Sequence, residues 1–113
     1  MIINKEKTLS AFAEDEEIFF SVVDEFISTF DNQKQELISS LENKNIDDIR
    51  IRTHTIKGLA GTFYFESLKN VASVAEKAAK EGNLEVIEEV KDDLLLKFEE
   101  LLTDAKRISN ERK

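Results

Sequence analysis

The chain has 113 residues, of which 41% are hydrophobic and 35% charged, with a formal net charge of −8. That length suits one domain around one core, taken as residues 1–113 with the bundle at about 15–108. The acidity argues against nucleic acid and anionic lipid as partners, because a phosphate backbone selects a cationic face.

The absence of cysteine excludes disulfides and thiolate metal sites and suits a reducing, cytoplasmic setting. No uninterrupted apolar run exceeds three residues, far short of the about 20 that a membrane span needs. Residues 1–14 show no sustained period, and a short helix near Leu9 to Ala13 is expected to pack over one end. From 15 to 43, Phe19, Val23, Phe26, Phe30, Leu37 and Leu41 share one helical face. Gln33 lies in that seam, and although Asp31-Asn32 could kink the segment, the spacing survives across it. Asn43, Lys44 and Asn45 then make a polar break, with Asn45 placed to N-cap the next helix.

Positions 46 to 63 set Ile46, Ile49, Thr53, Ile56, Ala60 and Phe63 at steps of three and four. A short turn around Tyr64 leads to a third segment, 65 to 81, with Phe65, Leu68, Ala72, Ala75 and Ala79 in phase. Gly82-Asn83 offers a left-handed stop and then an N-cap. The last segment, 84 to 108, carries Leu84, Ile87, Val90, Leu94, Phe98, Leu101, Ala105 and Ile108. No strand alternation or repeat is visible. The pattern predicts an all-α, antiparallel up-down four-helix bundle with a short N-terminal extension or helix.

One stretch works against its own helix. "HTIKGLAG", positions 54 to 61, holds the only histidine and two of the three glycines. Each interior glycine costs roughly 0.5–1 kcal/mol relative to alanine. With Thr53 and Ile56 facing the core, His54 falls about 100° round on the flank. It shares a stripe with Asp47, Arg50, Ile51, Lys57, Gly58 and Gly61. Helical side chains lean toward the N-terminus, so the residue four positions on covers a given residue. For His54 that residue is Gly58, and Gly61 lies one turn further on. The two glycines clear room for something bulky to approach the imidazole.

In an antiparallel hairpin turning near position 65, His54 comes level with Glu76, which follows Ala75 and is expected on a flank as well. A carboxylate accepting from one ring nitrogen fixes the tautomer and leaves the other lone pair outward. That pairs a nucleophile with its orienter, without a third group that would make a hydrolase.

The run "HTIKGLAGTFYFESL" resembles the histidine phosphotransfer (Hpt) motif, especially that of the N-terminal phosphotransfer domain of chemotaxis histidine kinases. The order of helices and polar breaks is similar to that family's across about residues 12 to 108. The resemblance implies that His54 is phosphorylated and that Lys57 assists the phosphoryl group. It implies too that Gly58 gives clearance and that Glu76 bonds the ring. Arg50, Ile51, Gly61, Ser73 and Lys77 are the expected partner-binding residues. The implied partners are the aspartate of a response-regulator receiver domain, which brings its own Mg²⁺, and a sensor histidine kinase. The chain itself then needs no cofactor and works as a monomer. It departs from the family with Thr53 where Ala is common, Leu59 where a small residue is common, and Tyr64 where Gly is common. Leu59 and Tyr64 bear on partner identity rather than on the reaction.

No Gly-rich nucleotide loop is present, so the chain is expected to be a phosphoryl carrier and not a kinase or other enzyme. One histidine cannot furnish a di-iron bundle or a histidine-rich zinc site. The alternatives are a piece of a larger chemotaxis-type kinase, or an inert helical interaction module with a vestigial motif. The initiating Met1 and the charged end "ISNERK" favour a free-standing protein.

Overall fold

The computed structural model describes residues 2–112, and every regular element among them is a helix. These are α1 (Lys5–Ala11), α2 (Glu16–Glu42), α3 (Ile46–Thr62), α4 (Glu66–Lys80) and α5 (Leu84–Glu111). Asn4, Asp15, Asn45 and Asn83 begin α1, α2, α3 and α5, each accepting the N–H of the residue three positions on. Helix α4 has no such side-chain cap, and Phe65 at that position is buried instead.

The three connections among α2–α5 repeat one motif. Asn45 donates to the carbonyl of Ser40, Phe65 to that of Ala60 and Asn83 to that of Ala78, at 3.0, 2.9 and 2.8 Å. The residue before each is left-handed: Lys44 at φ 52°, Tyr64 at 59° and Gly82 at 68°. This satisfies carbonyls orphaned at a helix end. Only Gly82 accepts the conformation freely, whereas a Cβ there costs roughly 1–2 kcal/mol.

One expectation for the first half needs correction. The first helix runs Lys5–Ala11 rather than from Leu9 to Ala13, because Asn4 caps it early and left-handed Ala13 (φ 56°) and Glu14 (φ 62°) stop it. Helix α2 passes Asp31-Asn32 without interruption, since both side chains face solvent and Asn32 donates to Glu36 one turn on.

The buried side chains form one cluster between α2, α3, α4 and α5, with Ile3 added from the N-terminal segment. Its centre is aromatic: Phe26 lies against Phe30, Phe63 and Phe98 at centroid distances of 5.8, 5.8 and 5.9 Å. Opposite these rings α4 contributes Ala72, Ala75, Ala78 and Ala79, and small side chains let helix axes approach closely. The α3–α4 pair is accordingly the most extensive packing in the molecule. Between α2 and α5, Asp24 meets Ser109 and Arg112 while Lys34 meets Glu99, so advancing along α2 retreats along α5.

The N-terminal segment is tied to this bundle. The N–H groups of Ile2 and Ile3 donate to Asp104 Oδ2 at 3.1 and 2.7 Å, and that of Asn4 to the Phe63 carbonyl at 3.0 Å. The buried Thr8 hydroxyl donates to the Asn4 carbonyl at 2.7 Å. Among the described residues, no helix is long and apolar enough to cross a membrane.

Candidate functional site

The site sits between α3 and α4, the most extensively packed pair of helices. Thr53 is buried, its hydroxyl satisfied within α3 by the Ile49 carbonyl at 2.8 Å, and its inward phase turns the next residue, His54, outward. The His54 side chain is 69% exposed. Across the groove, Glu76 is only 4% exposed. This corrects the expectation of a flank position for Glu76. The alanine face of α4 draws that helix close enough to bury the carboxylate stem beside Ala75.

The Glu76 carboxylate gathers two hydrogen-bond donors and one further cation. His54 Nδ1 lies 2.8 Å from Oε2, Lys57 Nζ donates to Oε1 at 3.1 Å, and Lys80 Nζ stands 3.8 Å from Oε2. Burial pushes the carboxyl pKa up. The hydrogen bonds from Lys57 and His54, with the charges of Lys57 and Lys80, outweigh that and hold it below the usual carboxylate range. An ionised carboxylate accepts only, so Nδ1 must carry the ring proton. In a ring protonated there alone, the lone pair sits on Nε2.

Nothing stands over the ring from its own helix. A Cβ built at Gly58, or at Gly61, would meet no atom within 4 Å. Neither glycine is therefore demanded by close helix packing. Of the expected partner-binding residues, Arg50, Ile51 and Lys77 are exposed, while Gly61 and Ser73 are half-buried. Lys80 was not singled out from the sequence, although its spacing of four from Glu76 carries the signal. No group of three or more His, Asp or Glu side chains that could hold a metal ion occurs among the described residues.

Chemically, the arrangement is an oriented imidazole with an outward nitrogen, two lysines on its carboxylate partner and an uncluttered approach. A comparison with protein families matches residues 21–108 to the Hpt domain. The chain belongs to the histidine phosphotransfer (Hpt) domain family. Members are phosphocarriers rather than kinases, and they work with kinases and response regulators in phosphorelays. No curated protein and no solved structure matches the chain significantly. The matched segment begins within α2, so α1 and the Asp104 anchor's N-terminal partners lie outside it.

Proposed function

We propose that this Hpt protein is a cytoplasmic, monomeric phosphoryl carrier, a single antiparallel up-down four-helix bundle that exchanges phosphate with receiver-domain aspartates. The observation that carries this reading is the 2.8 Å contact between His54 Nδ1 and Glu76, on a ring otherwise open to solvent.

In the forward step the Nε2 lone pair attacks phosphorus of the receiver's aspartyl phosphate. The P–O bond to that carboxylate breaks as the N–P bond forms. The ring keeps its Nδ1 proton and becomes cationic, and the Glu76 carboxylate compensates that charge. Lys57, within reach of the same groove, balances the phosphoryl oxygens as charge moves. The return step reverses each change, with the receiver carboxylate attacking and the neutral imidazole leaving. Mg²⁺ belongs to the receiver, and this chain supplies the nucleophile, its orientation and one cation. A sensor histidine kinase stands upstream.

Incubation with phosphorylated receiver domains should place an acid-labile, alkali-stable phosphoryl label on the wild-type protein and none on His54→Gln. A His54→Gln protein that folds normally and still takes up the label would sink the assignment.

A further inference from the structure

Glu76 is surrounded by more positive charge than its own ionisation calls for. Its side chain is buried, and Lys57 from α3 already donates to Oε1 at 3.1 Å. A second ammonium, Lys80 Nζ, stands 3.8 Å from Oε2, the oxygen that His54 Nδ1 contacts at 2.8 Å. Among the described residues, no other acid lies within ion-pair distance of either lysine. One carboxylate is thus shared by two fixed cations and by a ring that becomes a third when it bears a phosphoryl group.

A Glu–Lys spacing of four is ordinary on helix surfaces, where water surrounds both ends and screens the pair. This pair differs because its acidic end is buried. The ammonium acts on Oε2 under weaker screening, and Oε2 is also the ring's partner. The Lys80 side chain is itself 58% exposed, so its charge can be removed without opening the core.

We infer that Lys80 is a positioning residue for charge: by drawing on Oε2 it weakens the site's hold on the cationic, phosphoryl-bearing ring and biases exchange toward the receiver. The inference rests on the carrier reading and concerns the balance of that reaction, not the face on which the partner docks. In the return step a receiver carboxylate oxygen attacks phosphorus and a P–O bond forms. The N–P bond breaks, and its electron pair returns to Nε2. The ring keeps its Nδ1 proton and passes from cation to neutral. A neighbouring ammonium raises the free energy of the cationic ring and leaves that of the neutral one almost alone. Lys80 meets the ring through the oxygen on its Nδ1 side, whereas phosphorus bonds at Nε2. A residue that acts only on docking changes the forward and return rates by one factor. Lys80 is read in their ratio.

The test measures second-order rates of phosphoryl transfer onto and off His54. Receiver domains charged with acetyl phosphate and Mg²⁺ serve as donors, and the same panel uncharged serves as acceptors. Wild type is compared with Lys80→Gln, Lys80→Arg and Lys106→Gln, the last removing one exposed charge from α5. Lys80→Gln should raise the ratio of the rate onto His54 to the rate off it by roughly threefold to tenfold, mostly through a slower return. Lys80→Arg keeps the charge and Lys106→Gln leaves the site intact, so both should hold the wild-type ratio. An unchanged ratio in Lys80→Gln would leave Lys80 idle or confine it to docking, and a lower one would show that it grips the phosphoryl group. A raised ratio in Lys106→Gln as well would show that net charge alone matters, and one in Lys80→Arg that side-chain shape does. Each of these overturns the inference and leaves the carrier reading standing. A panel in which no receiver labels wild-type His54 overturns both.

Discussion

Two carboxylates are buried on this bundle, and they are put to different ends. Glu76 and Asp104 are 4% and 7% exposed, and each is held below the usual carboxylate range. In both, burial raises the pKa and hydrogen bonds outweigh it: from Lys57 and His54 at Glu76, from Arg107 and then the Ile3 and Ile2 backbone at Asp104. Asp104 spends its lone pairs on backbone N–H groups and on Arg107 at 2.8 Å, all parts of the fold itself. Glu76 spends them on a partly exposed lysine and on a ring that faces water. A buried charge closed by the backbone is an anchor. A buried charge closed by an exposed imidazole is a lever on whatever reaches that imidazole.

The contrast is broken most forcefully at the site. Lys57→Ala should slow phosphotransfer by roughly tenfold to a hundredfold while leaving the melting temperature almost unchanged. Glu76→Gln should slow it less, because the amide oxygen still accepts the ring N–H while the charge is lost. Single-turnover transfer rates decide this, and equal rates in wild type and both variants would strip both residues of their roles. Asp104→Ala should do the opposite. Removing the acceptor of two N–H groups and of Arg107 should cost about 1–3 kcal/mol of stability. Folded Asp104→Ala protein should transfer phosphate normally. Denaturant melts and faster amide exchange at Ile2 and Ile3 would report it.

Acid should weaken both sites together. Because both native carboxyls sit below their ordinary values, the unfolded chain takes up protons that the folded chain refuses. Their contribution is therefore complete above the ordinary carboxylate range, near about 4, and is lost as pH falls through the lower native values. Glu76→Gln with Asp104→Asn should flatten this acid limb in melts run at successive pH values. An unchanged slope would mean that neither carboxylate is held down.

These two sites were not equally legible in the sequence. Helical phase set His54 on a flank, and hairpin symmetry brought Glu76 level with it, since both follow from chain-local spacing. Four caps and breaks, Asn45, Tyr64, Gly82 and Asn83, were readable for the same reason. The burial of Glu76 was not, because it depends on how closely the alanine face of α4 approaches α3. Asp104 gave no signal of an anchor, as its backbone partners lie 101 and 102 positions away and its spacing of three from Arg107 is that of an ordinary helix-surface pair. The true start of α1 was visible in Asn4, whose side chain accepts from Lys7 at 3.0 Å, but an irregular apolar pattern hid it.

The smallest effect sharpens the comparison furthest. Gly58→Ala should stabilise the protein by roughly 0.5–1 kcal/mol, since the new methyl meets only open space. The same methyl leans over His54, so transfer should fall, and should fall further in Gly58→Leu. Thermal melts and transfer rates moving in opposite directions mark a glycine kept for access. A lower melting temperature for Gly58→Ala would mark one kept for packing.

The bare surface over His54 has a wider consequence. A side chain standing proud on a helix flank is convex, and a convex site encloses nothing and selects nothing by shape. Discrimination among donors must then be carried by the concave member of each encounter, which has walls to exclude what does not fit. Under the carrier reading, the same openness would leave an N–P bond at His54 bathed in water between encounters. The intrinsic hydrolysis of phosphoimidazole would then be the clock, and the protein a conductor that must find its next partner before that clock runs down.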